Sequence, residues 1–228
     1  MIAHKPLAAV LRVTAWLSYG RKYETPVRPD RLVWVDPDEI VHKPTQSPGD
    51  RQVPPPVVVG GDWDQELEPI TEDIVFETFY RRFIEERPWE ETGYVDFLKG
   101  GVSEHGGLSG TEALDRCEKL DRLYEYIERE GYKMQSQLER EGGLIEELTP
   151  QLRPPVYREI AVDITRDGEL VWHGGMHRLV ISKLLEIEKI PVRINTRHEL
   201  WQQTRERIYT TGEPQRYHDH PDVEYLFD

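Results

Sequence analysis

The sequence predicts an α+β fold: a mixed sheet carrying helices, with a helical insertion in the middle of the chain. Short β-branched or alternating runs bounded by turn residues lie toward both ends, at Leu32–Val35, Val57–Val59, Glu159–Ile164 and Ile190–Ile194. Residues 71–150 between them carry apolar side chains at helical spacing. In the last third, strand and helix patterns interleave around an Asp167-Gly168 hairpin turn. One sheet receiving both ends of the chain satisfies all three.

Taken in order, Leu7 to Tyr19 has helical apolar spacing, and Leu32–Val35 is a strand running into the turn Asp36-Pro37-Asp38. Pro44 to Pro56 holds five prolines and reads as an extended connection. Val57–Val59 is a buried strand stopped by Gly60-Gly61. Thr71 to Arg87 begins at a capping threonine and puts Ile74, Val75, Phe79 and Phe83 on one face. A short helix is expected from Trp89 to Leu98 after the Arg87-Pro88 stop, then a glycine-rich loop from Gly100 to Gly110. Thr111 to Arg129 is the clearest helix, with Leu114, Cys117, Leu120, Leu123, Tyr124 and Ile127 inward and Gly131 at its C-cap. Gln135 to Leu148 reads as a helix or a surface excursion. Glu159–Ile164 and Glu169–Trp172 form a hairpin, Gly174-Gly175 breaks the second strand, and His177–Leu185 is an amphipathic helix. A strand at Ile190–Ile194 and a helix at His198–Tyr209 close the pattern. The expected organisation is an arm at 1–31, one domain at 32–209 with its insertion at about 71–150, and a tail at 210–228.

Composition narrows the class. The chain has 228 residues, 29 basic against 43 acidic side chains, a net charge of −14 and one cysteine. A single Cys117 excludes an intrachain disulfide framework and a thiolate zinc site; on the apolar face of its helix it reads as inert core. Pro6 to Leu17 is too short and too interrupted for a membrane span, and no small-residue cleavage site follows it, so a soluble cytoplasmic protein is expected. The acidic surface disfavours broad nucleic-acid binding without excluding it. Many carboxylates with 8 Lys against 21 Arg suit molar salt, a composition similar to that of salt-loving archaea and their viruses; an ordinary acidic protein from a GC-rich genome is the other reading. Residues 1–31 alone are basic, so the stretch 5–22 lies on an anionic membrane surface or docks onto the chain's own acidic domain.

The chemistry-bearing signal is Gly174-Gly175-Met176-His177-Arg178, at a strand-to-helix turn. Glycines there let backbone approach a ligand, and the first N–H groups of the helix suit a phosphate. His177 and Arg178 add a donor and a bidentate cation. The alternative is a pair of glycines that merely ends a strand.

Here the sequence resembles the ParB/sulfiredoxin-like superfamily. The segment VDITRDGELVWHGGMHRLVISKLLEIEKIPVRI carries its Gly-x-His-Arg box at Gly175, Met176, His177 and Arg178, then an Ile190-Pro191-Val192 strand; Leu32 to Ile40 is similar to the first strand and turn. The resemblance implies a nucleotide-binding fold, with nucleoside di- or triphosphate and Mg2+ as cofactors and the box holding phosphates. Met176 stands where sulfiredoxins need a catalytic cysteine, which excludes that activity. About 20 residues follow Arg207, too few for the DNA-binding and dimerisation parts of segregation proteins. The expected function is then an ATP-, ADP- or CTP-dependent kinase-like phosphotransferase acting on a small hydroxyl-bearing molecule. The alternative is a nucleotide-gated regulator that binds DNA or a protein without small-molecule chemistry.

Other residues complete the candidate site. Asp62 and Asp64, beside Trp63 after the Val57–Val59 strand, read as a general base or Mg2+ ligands, or as an acidic turn. Asp163 and Asp167 flank the hairpin; Asp167 makes its turn, and Asp163 faces the site or is structural. Arg197, His198 and Arg205 form a second anion or substrate subsite, or salt bridges. His218-Asp219-His220 reads as solvated tail sequence rather than a metal tripod.

Overall fold

In the computed structural model, the residues described are 13, 22–25, 28, 31–48, 57–100, 107–141 and 154–227. The helix expected at Leu7–Tyr19, most of the proline-rich connection and the far end of the Gln135–Leu148 segment lie outside them. Among the described residues seven strands form one sheet: β1 (Leu32–Val35), β2 (His42–Pro44), β3 (Val57–Val59), β4 (Leu67–Pro69), β5 (Ile160–Ile164), β6 (Leu170–Gly174) and β7 (Ile190–His198). The order is β1-β7-β5-β6-β2-β4, with β3 also on β7. The α+β class holds.

β7 organises the sheet because it is long enough to take two partners along one edge. Its first half pairs antiparallel with β1 and its second half parallel with β3, while β5 runs parallel along the other edge. The strand expected at Ile190–Ile194 therefore continues to His198. All five residues of β5 are buried, as a central strand requires. Its register shifts on both edges, between Ala161 and Val162 against β6 and between Val162 and Asp163 against β7.

The insertion is helical but more broken than its spacing predicts. Ile70–Glu72 forms a 3-10 turn, α1 spans Ile74–Phe79, and a π-helical turn follows at Tyr80–Ile84. The cap is Asp73, whose carboxylate accepts from Val75 N, rather than Thr71. α2 (Trp89–Thr92) and α3 (Tyr94–Lys99) replace the single helix expected there, because Gly93 turns between them at φ 92°. α4 (Gly110–Glu130) carries a capping box from Ser109 and Glu112 and ends at Gly131. It buries Ala113, Cys117, Leu120, Leu123 and Ile127; Leu114, expected inward, lies one position off that stripe and is exposed. Burial pushes the Cys117 thiol up to about 12, which keeps it inert at neutral pH.

α5 (Gln135–Glu141) leads toward β5, α6 (Met176–Leu184) follows β6, α7 (Glu199–Thr211) follows β7, and α8 (Pro221–Glu224) is the last short helix. The expected tail is not a tail. Asp222, Val223, Tyr225 and Leu226 are buried, and α8 packs against β1. His220, expected to be solvated, caps α8 through Nδ1, donates from Nε2 to Gly168 O and packs at a tilt against Trp201. No helix among the described residues is long and apolar enough to cross a membrane.

Candidate functional site

The turn from β6 into α6 is built around Gly175. Gly174 is the last strand residue, and Gly175 sits at φ +84° as the N-cap of α6. A Cβ on Gly175 would lie 3.1 Å from the Ile160 Cα, so the left-handed backbone and the contact with β5 both require glycine. Gly174 meets no such limit; its nearest neighbour would be the Ala161 Cβ at 3.9 Å. The first backbone bond of α6 runs from Leu179 N to Gly175 O, and no side chain caps the helix. Its N-terminal dipole end therefore points out of the turn without a carboxylate or hydroxyl of its own.

The side chains of the box serve the fold. Met176 is buried. The His177 ring stacks on Phe79 at 5.5 Å, and its Nε2 lies 2.7 Å from the Tyr94 hydroxyl, within the aromatic cluster of the insertion. Arg178, expected to face a ligand without a structural partner, donates to the Tyr132 hydroxyl at 2.8 Å, to Glu159 at 3.2 Å and to the Arg158 carbonyl. Burial raises the Glu159 carboxyl above its ordinary range, with Arg178 and the Gln135 N–H pulling the other way. Arg178 and His177 thus cannot be assigned to phosphate on geometry; the backbone of the turn is what remains for it.

Two residues before Gly175 lies a group that sequence reading passed over. His173 Nδ1 is 2.9 Å from Asp163 Oδ2, and Asp163 is wholly buried. Asn195 donates to Asp163 Oδ1 at 3.3 Å, and Arg193 donates to Asn195 Oδ1 at 3.0 Å. The four side chains run across β7, β5 and β6 where both register shifts of β5 fall, the kind of irregularity that re-aims side chains. With Nδ1–H directed at the carboxylate, Nε2 is the basic nitrogen of His173; among the described residues it makes no hydrogen bond. Strand alternation held the signal: His173 is two residues beyond Val171, the partner of Asp163, and so shares its face.

Asp62 and Asp64 are held by Arg166. Asp64 accepts from Arg166 N at 2.7 Å and from its guanidinium at 2.7 and 3.0 Å. Burial pushes the Asp64 carboxyl up, but the Arg166 hydrogen bonds outweigh it and hold the group below its ordinary range. Asp62 is 84% exposed, takes one bond from Arg166 at 2.9 Å, and lines a cleft of about 440 Å³ with Trp63 and Glu66. One guanidinium already bridges both carboxylates, so Mg2+ between them would have to compete with Arg166. Among the described residues no three His, Cys, Asp or Glu side chains are grouped to hold a metal ion.

The expected second anion subsite is likewise taken. Arg197 and Arg205 are buried, and both pair with Asp222. Tyr225 Oη accepts from each, at 3.0 and 2.7 Å, and Trp201 Nε1 donates to Asp222 at 2.8 Å. His198 accepts from Leu200 N through Nδ1, capping α7, and its Nε2 donates to Gly61 O at 2.9 Å. Arg197 and Arg205 are structural because the last described segment supplies their partners, and His198 because it caps α7 and holds Gly61. Comparison of the chain with protein-family models, with curated proteins and with solved structures finds no match.

Proposed function

We propose that this chain binds a nucleotide by its phosphates at the start of α6 and transfers a phosphoryl group to a small hydroxyl-bearing molecule, with His173 as the base. The observation that carries the reading is a juxtaposition: a helix start without a side-chain cap lies two residues from the imidazole of a buried Asp–His pair. The resemblance of residues 162–194 to nucleotide-binding domains points the same way.

Each residue has a stated task. Gly175 places the backbone of Met176 and the start of α6 where anionic oxygens meet the dipole end. A bound nucleotide supplies the phosphoryl group: the acceptor oxygen forms the new P–O bond as the bond to the nucleotide's bridging oxygen breaks, and the shortened nucleotide leaves with that oxygen. His173 Nε2 takes the proton of the acceptor hydroxyl, and Asp163 orients the ring and stabilises the imidazolium that forms. Asn195 fixes the Asp163 carboxylate from the other side. Asp62 and Asp64 have no part, since Arg166 occupies them.

A thermal-shift and calorimetric screen of ATP, ADP, CTP and GTP tests the binding half. At least one should raise the melting temperature, and His173→Gln should still bind it. Turnover in His173→Gln should fall by roughly 10²- to 10⁴-fold, the usual contribution of a general base. The binding half is lost if none of the four nucleotides binds, and the base assignment is lost if His173→Gln keeps its rate.

A further inference from the structure

A second site lies away from α6, at the turn end of the β5–β6 hairpin, and it does not depend on the proposed function. A cleft of about 720 Å³ opens there, within the size range of small-molecule pockets. Three guanidinium groups from three separate elements line it: Arg166 at the hairpin turn, Arg207 on α7 and Arg216 in the 3-10 turn Gln215–Tyr217. Asp167 is the one carboxylate in the lining. On a chain of net charge −14, a lining of three guanidinium groups against one carboxylate is locally basic, although Asp62 and Asp64 behind Arg166 offset its charge.

The donors differ in what they have already spent. Arg166 is fixed from behind by Asp64 and Asp62 through Nε and one terminal nitrogen, and its other terminal nitrogen makes no bond among the described residues. Arg207 is exposed, and its side chain has no partner among the described residues. Arg216 lies over the Tyr217 ring at 4.7 Å and donates to its hydroxyl, with Asp167 nearby. On α7 the lining residues Leu200, Gln203, Thr204 and Arg207 fall at i, i+3, i+4 and i+7, one continuous stripe. It puts an amide, a hydroxyl and a guanidinium along one wall, and Tyr217 completes the lining.

We propose that this cleft is a binding site for a small phosphate-bearing ligand, with Arg207 and Arg216 as its charge-assisted donors and the Asp-clamped Arg166 as its fixed point. Guanidinium forks match phosphate oxygens in pairs, Gln203 and Thr204 supply neutral hydrogen bonds, and Leu200 with Tyr217 accommodates an apolar or planar substituent. A long polyanion is disfavoured, because a chain of net charge −14 repels the charges beyond the one or two the arginines meet.

Calorimetry with inorganic pyrophosphate tests this, at the lowest salt in which the protein melts cooperatively. Arg207→Gln and Arg216→Gln should each weaken pyrophosphate binding about tenfold, as loss of one charge-assisted pair does. Both should keep the wild-type melting temperature, and Arg129→Gln, at an exposed arginine on α4, should change nothing. The proposal is overturned if wild-type protein binds no pyrophosphate, or if both cleft variants bind it as tightly as wild type, which places it elsewhere. A single-stranded oligonucleotide that binds tighter than pyrophosphate, and loses affinity in both variants, overturns the small-ligand assignment.

Discussion

Asp222 and Arg197 meet in a two-point ion pair, at 2.6 and 2.8 Å, with neither side chain more than 5% exposed. Arg205 approaches the same carboxylate at 3.0 Å, and the Trp201 indole closes it off at 2.8 Å. One carboxylate from the last short helix thereby joins β7, α7 and α8. Burial opposes its ionisation, yet Arg197 and Arg205 hold it well below the ordinary carboxylate range.

Removing that carboxylate leaves two guanidinium groups buried without a counter-charge. Asp222→Ala is expected to destabilise the fold by about 3–5 kcal/mol, the cost of breaking one side of a buried pair. Because the folded value lies below the unfolded one, Asp222 stabilises fully above the unfolded value, near 3.8, and loses that contribution as pH falls below it. Denaturant melts from pH 7 to pH 2.5 check both points. The wild type should lose stability steeply below about pH 4 through this group, and Asp222→Asn should lack that component.

The two glycines of the box make a matched pair of tests. Gly175→Ala must hold an L-residue at φ +84° and push against the Ile160 backbone, so a loss of about 1–3 kcal/mol is expected. Gly174→Ala meets only an ordinary van der Waals contact and should change stability by less than about 1 kcal/mol. Equal melting shifts in the two variants would contradict the geometry at Gly175.

High salt offers a third test, on composition rather than contacts. With 43 carboxylates against 29 basic groups, self-repulsion opposes the compact state, and screening relieves it. The melting temperature should rise between ~0.1 M and ~2 M potassium chloride. A flat or falling profile would remove high-salt adaptation as the reason for the composition.

Five of the seven described strands, the hairpin and the long helix were legible because each is written locally, in β-branched or alternating runs, in Asp167-Gly168 and in a 3.6-residue stripe; β2 and β4, three residues each, were not read. The breaks in the insertion were not, since Gly93 and the π turn answer to packing among Phe79, Phe83, Trp89 and Tyr94. The candidate site was legible only in its backbone. Gly175 could be read because its conformation is intrinsic to glycine. The partners of Arg178, Arg197 and Arg205 include Glu159, Asp222 and Tyr225, between 17 and 28 residues away in sequence, and no spacing rule announces them. His173 was passed over because its alternation pairs it with Asp163 only once the β5–β6 register is known, and that register shifts between Ala161 and Val162.

The remaining prediction concerns Arg178, whose partners reverse what its place in the box suggests. Its guanidinium holds Glu159, a carboxylate with 1% of its side chain exposed, and ties Tyr132 and the Arg158 carbonyl to the start of α6. Arg178→Ala should therefore cost about 3 kcal/mol in the ligand-free protein, since Glu159 is left buried without its cation. The variant should also acquire a new pH dependence. Burial already raises the folded Glu159 value above 4.5, and loss of Arg178 removes its main counterweight, so the value climbs further. A carboxyl raised in the folded state stabilises fully below the unfolded value and loses that contribution as pH rises through the folded one. Arg178→Ala should thus recover part of its lost stability between pH 7 and pH 5, relative to wild type. Arg178→Lys should restore some of the charge but not the three-way contact, and fall between the two. An Arg178→Ala protein as stable as wild type at every pH would return Arg178 to the ligand side of the turn.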